Sequence, residues 1–107
     1  MKMITAIVNK KDAGDVCDAL TEARFAFTKM ATTGGFLKAG NVTLLIGTDD
    51  EKVDTAIEII RKHCAQRMEP MTTVVNAGVP AFGYHKTEVL VGGATVFISP
   101  VERFEKM

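Results

Sequence analysis

What most constrains the fold of this chain is the order in which its hydrophobic periods follow one another. Ile4, Ala6 and Val8 alternate with Met3, Thr5 and Ile7 in a nearly unbroken apolar run, the pattern of a central strand covered on both faces. Residues 9–11 end it. Asp12 is placed to cap a helix running to about residue 23, in which Val16, Ala19, Leu20 and Ala23 form one stripe while Asp15, Asp18 and Glu22 face water. Phe25, Phe27 and Met30 predict a second strand over residues 24–31, and the β-branched run over residues 42–47 predicts a third. Thr48-Asp49-Asp50 stops that strand, and the carboxylates of Asp49, Asp50 and Glu51 are expected to cap and start a second helix. There Val53, Ala56, Ile57 and Ile60 repeat at helical spacing up to about residue 65. A last strand is expected over residues 87–99, with Gly92-Gly93 in mid-course as a bulge or close backbone approach and Pro100 as its stop.

This β-α-β-β-α-β order in 107 residues predicts a single α+β domain, 1–107, of the ferredoxin-like type: a four-stranded antiparallel sheet with two helices on one face. Two helices cover only one side of strands that are apolar on both. The other side is expected to pack against another subunit in a closed homo-oligomer. Residues 66–86 break the pattern, with Pro70 and Pro80, Gly78 and Gly83, and no helical period. They read as a long loop, part of which forms a strand pair or docks on something, since Met68, Met71, Val74, Val75 and Phe82 are apolar.

Charge narrows the partners. Thirteen basic and thirteen acidic residues cancel, so no net field holds long nucleic acid or an acidic membrane, and a bound phosphate must be met locally. No apolar run is long enough to insert in a bilayer, and the first eight residues are too short a run for a signal segment. Cys17 and Cys64 form no CxxC pair and fall on helical patterns, as free thiols of a reducing, cytoplasmic protein would. His63, near the end of the second helix, and His85, in the long loop, lack partners at metal-ligand spacing, and neighbouring His63 and Cys64 point apart on a helix. Ser99 is the only serine and has no local base. Neither catalytic residues nor a metal site are expected, and no cofactor.

The chemistry-bearing stretch is residues 28–41. Gly34-Gly35 permits close approach of backbone N–H groups to an anion, Phe36 and Leu37 offer apolar cover for a base, and Thr28, Thr32, Thr33 and Asn41 offer hydrogen bonds. That mixture suits a nucleotide. Spacing alone does not separate it from a plain hairpin whose glycines satisfy turn geometry and whose Phe36 folds into the core.

Taken with Gly47 and with Val91-Gly92-Gly93-Ala94-Thr95-Val96-Phe97 followed by Pro100-Val101, the run from Thr28-Lys29 through Ala31-Thr32-Thr33-Gly34-Gly35-Phe36-Leu37 to Gly40-Asn41 resembles the PII-like cyclic di-AMP receptor family. The resemblance covers residues 1–67 and resumes at Glu88. It implies a bacterial, non-enzymatic signal-transduction protein: a homotrimer of ferredoxin-like subunits that binds cyclic di-AMP in its inter-subunit clefts and signals to a downstream protein through its long loops. On the family pattern Thr28 meets the ribose-phosphate ring, Gly35, Phe36 and Leu37 hold an adenine, Asn41 makes a polar contact, and Gly47 makes a backbone contact to an adenine. Gly92, Gly93 and Thr95 complete the cleft. Many relatives carry a basic residue where this chain has Ala26, and Arg24, read as facing the same side of the strand, is the substitute phosphate contact. The tail carries Phe104, Glu105 and Lys106 in place of a glutamine found in some relatives. Two other readings follow: a PII-like trimer whose altered site takes another nucleotide such as ATP, or only a protein partner, and a small acylphosphatase-like hydrolase.

Overall fold

A computed structural model of the chain describes residues 1–31, 40–65, 67–74 and 84–107. Among them six strands and two helices follow in the order β1 (Lys2–Asn9), α1 (Lys10–Glu22), β2 (Phe27–Ala31), β3 (Asn41–Thr48), α2 (Val53–Cys64), β4 (Arg67–Val74), β5 (Tyr84–Val91) and β6 (Ala94–Pro100). Four strands make one antiparallel sheet in the order β2-β3-β1-β6, and β4 and β5 pair separately. The α+β reading with the ferredoxin-like strand order therefore holds, with one hairpin added between α2 and the last strand.

The two-residue period of the strands decides which side is core. Ile4, Ala6 and Val8 of β1 and Val42, Leu44 and Ile46 of β3 are buried against Ala13, Val16 and Leu20 of α1 and Ala56 and Ile60 of α2. The odd-numbered residues of β1 and β3 point the other way, and no described helix covers them. Met30 and Phe97 on that open face remain 37% and 48% exposed.

Four sequence-based expectations are corrected here. Helix α1 starts two residues before Asp12, because Asn9 already caps it by accepting from the Lys11 N–H at 2.8 Å. Asp12 is instead buried inside the first turn. Neither Asp49 nor Lys52 makes a side-chain cap at α2; a short 3-10 turn, Asp50–Lys52, leads into it, and the acidic residues stand at its positive end, with Asp50 also pairing with the Met1 ammonium at 3.0 Å. Residues 67–74 and 84–91 form the strand pair expected within part of the 66–86 stretch, a hairpin in register from Arg67 opposite Val91 to Val74 opposite Tyr84 that extends past residue 86. The expected last strand over 87–99 is correspondingly two strands in different sheets, divided at Gly92-Gly93, both of which sit at positive φ. The alternating pattern runs straight through the break, so periodicity could not reveal it.

Arg24 is the fourth correction. It lies outside β2, at φ 65° in the turn that ends α1. Its N–H donates to Thr21 O at 3.0 Å and the Phe25 N–H donates to Leu20 O at 2.9 Å, with Leu20 and Phe25 both in the core. This is a Schellman ending with arginine where glycine is usual. The Arg24→Gly variant should therefore gain about 1 kcal/mol of stability, read as a higher urea midpoint with unchanged slope.

Candidate functional site

Two clefts open on the uncovered face of the sheet, at opposite ends of β1 and β3. The first, about 180 Å³, is polar and is lined by Ile7, Asn9, Asn41, Gly92, Gly93 and Thr95. Strand pairing places these together: Asn9 stands opposite Asn41, Ile7 stands opposite Thr95, and Gly92-Gly93 delivers the chain into β6 beside them. The Lys10 N–H donates to Gly40 O at 2.7 Å, fixing the end of the glycine-rich stretch against the start of α1.

The second cleft, about 370 Å³, is mainly apolar and includes Met3, Ala26, Thr28, Leu45, Gly47 and Phe104. Here Thr28 stands opposite Leu45 and Met3 opposite Gly47, so the Thr28 hydroxyl and the Gly47 backbone share one floor. A side chain at Gly47 would meet nothing within 4 Å. That open space is available to a flat ring.

The expected site residues are thus brought together as two groups rather than one. Asn41, Gly92, Gly93 and Thr95 line the polar cleft, Thr28 and Gly47 the apolar one. Asn41 and Gly47 sit six residues apart on one strand, which at the rise of a β-strand is about 20 Å. Gly35, Phe36 and Leu37 lie outside the described residues; the residues flanking them, Ala31 and Gly40, stand at the Asn41 end of the sheet. Arg24 lines neither cleft as described, and Ala26 supplies no charge to the second. Among the described residues no group of three His, Cys, Asp or Glu side chains could hold a metal ion.

Sequence reasoning missed Asp12 and Arg67. Asp12 is 4% exposed and its carboxylate takes the Arg67 guanidinium in a fork, Nη2 to Oδ1 at 2.8 Å and Nη1 to Oδ2 at 3.4 Å. Their 55-residue separation left no local signal, and the only hint was an acidic residue on the apolar side of an amphipathic helix. Gly92 packs directly on this pair. Beneath it, burial pushes the Cys64 thiol up to about 11, with Asp12 adding to the shift and Arg67 opposing it.

Cys64 makes stability pH-dependent. In the unfolded chain the thiol ionises near its ordinary value of 9.0, so the unfolded state loses its proton first as pH rises. The contribution is present in full below pH 9 and is lost as pH rises towards about 11; the loss is roughly 2–3 kcal/mol. Burial raises Cys17 too, in the same direction. Denaturant melts across pH 8 to 11 should show the decline, and Cys64→Ala should flatten most of it.

These clefts and this fold can be set beside known proteins. The chain is similar, at 36% identity over 78 residues, to the nitrogen fixation nifHD region GlnB-like protein 1 of Methanothermococcus thermolithotrophicus, a match spanning 61% of this chain and 74% of that protein. It is similar in structure to a functionally unknown protein from Pediococcus pentosaceus ATCC 25745, with a TM-score of 0.78 and 40% identity over 99% of this chain and 96% of the other. The sequence pattern described as "Cyclic-di-AMP receptor" matches residues 1–107, the whole chain. With the strand order, the glycine-rich stretch and the Gly92-Gly93 junction all inside that match, the chain belongs to the cyclic-di-AMP receptor family.

Proposed function

We propose that this protein is a non-enzymatic cytoplasmic receptor that binds cyclic di-AMP between the subunits of a homotrimer and signals to a protein partner through its β4–β5 hairpin. The carrying observation is the division of the expected contacts between two clefts at opposite ends of one uncovered sheet face. A folded cyclic dinucleotide does not reach from Asn41 to Gly47 on one strand. Two copies packed through their open faces bring the Asn41 end of one against the Thr28 and Gly47 end of another. The apolar cleft then takes a base, and the polar cleft supplies donors to ring and phosphate. Exposed Met30 and Phe97 on the same face favour such packing.

The polar cleft offers the side chains of Asn9, Asn41 and Thr95 and the backbone at Gly92-Gly93, groups that can meet a phosphate by hydrogen bonds. Ala26 in the cleft wall is also what favours the second reading, a different nucleotide such as ATP in the same trimer. The acylphosphatase-like reading needs an arginine and an asparagine converging on one phosphate. Arg24 precedes the Phe27 end of β2, whereas Asn41 stands at the opposite end of the sheet.

Calorimetric titration separates these readings. Saturable heat with cyclic di-AMP, and far less with cyclic di-GMP or ATP, is expected; no heat at millimolar cyclic di-AMP sinks the proposal, and a stronger response to ATP selects the second reading. Arg24→Gly belongs in the same series, since an unchanged isotherm removes Arg24 from the phosphate site.

A further inference from the structure

Both ends of the hairpin pass through one crowded point. A Cβ on Gly92 would lie 2.8 Å from Ala65 O, 2.9 Å from Arg67 Nη1 and 3.3 Å from Asp12 Oδ2. Arg67 opens β4, Gly92 follows β5, and Asp12 lies in the first turn of α1. Arg67 Nη1 also donates to Ala65 O at 3.4 Å, and the Gly93 N–H donates to Cys64 O at the end of α2. Gly92 and Gly93 are at the same time a wall of the polar cleft. The ligand contacts described above use the two glycines and leave the buried charged pair unassigned.

We propose that Asp12, acting through Arg67, is the positioning residue that ties the root of the β4–β5 hairpin to the Gly92-Gly93 wall of the cleft, so that hairpin and cleft take up position together. A planar guanidinium on a buried carboxylate has one good geometry, so the pair is formed or broken with little between. A Cβ on Gly92 would already crowd the guanidinium nitrogen, so the glycine wall lies directly against the pair, and a shift of one changes the room left to the other. Any ligand that favours one setting of the wall therefore favours one setting of the hairpin. The coupling to ligand rests on the cyclic di-AMP reading; the clamp itself does not.

Hydrogen exchange tests both parts, in wild type, in Asp12→Asn, and in Asp12→Asn/Arg67→Gln, which removes both charges of the pair together. Without ligand, amides at 67–69 and 88–91 should exchange at least about tenfold faster in the variants while those of β1 and β3 hold their rates. With cyclic di-AMP, wild type should gain protection at the hairpin root, whereas the variants should still give binding heat but no change there. Wild-type exchange in the variants, or a ligand response at the hairpin that survives the substitutions, overturns the proposal. So does collapse of protection throughout β1 and β3 in the double variant, which would make the pair a support of the whole fold. If wild type gives no heat with cyclic di-AMP, the receptor reading fails and the ligand-free comparison alone decides the clamp.

Discussion

Gly92→Ala should lose about 3 kcal/mol or more of folding stability, a fall of roughly 10 °C or more in Tm for a domain of this size. Two costs combine. At φ 82° an alanine is strained wherever it sits, and here its Cβ would also lie 2.8 Å from the backbone carbonyl of Ala65. The nearby Arg67 Nη1 can retreat because it is the end of a flexible side chain, but only by giving up its hold on Asp12. The carbonyl cannot retreat without moving the end of α2. Thermal and urea melts of the variant measure the effect, and a loss below about 1 kcal/mol would mean that the three segments are not packed as described.

Gly47→Val should do the reverse. The position lies in β3 on an ordinary strand backbone, and a Cβ there would find nothing within 4 Å, so a β-branched residue fits the fold. Stability should stay within about 0.5 kcal/mol of wild type. The valine projects into the apolar cleft beside Thr28 and Leu45, where a base is proposed to lie. Affinity for cyclic di-AMP should fall at least about a hundredfold, since the ligand must clash or leave the cleft. Calorimetry on a variant with an unchanged melt separates this loss from any structural damage. The contrast between two glycines follows from their surroundings, one packed against three segments and the other facing empty space.

How far the sequence could be read depends on what each residue reports. Strand and helix periods are local, so the six core elements of the ferredoxin-like order were legible from Ile4, Val16, Val42 and Ile60 and their neighbours. The β4–β5 hairpin was legible only as a strand pair somewhere in residues 66–86, because Pro70 and the glycines around 78–83 resemble loop punctuation and hide the pairing of residues 67–74 with 84–91 along their length. Arg24 was misplaced because a left-handed arginine gives no compositional sign of itself. At the candidate site, glycines and hydroxyls marked residues 28–41 and 92–95 as candidates, and the resemblance singled out Thr28, Asn41 and Gly47. That these residues fall into two separate clefts is a matter of strand length and pairing, visible only once Asn41 and Gly47 are seen on one strand. The Asp12–Arg67 fork is non-local in the same way.

A mixing experiment tests the shared site most directly. Asn41→Ala damages the polar end and Gly47→Val the apolar end, so neither variant alone should bind cyclic di-AMP well. Co-expressed with different tags and purified as mixed oligomers, they form some clefts that take an intact Asn41 end from one chain and an intact Gly47 end from the other. With equal random mixing in a closed ring about a quarter of the clefts are intact, and calorimetry should recover wild-type affinity at about that stoichiometry. If each chain holds its ligand alone, every cleft carries one defect or the other, and the mixed oligomers will show no recovered high-affinity binding at all.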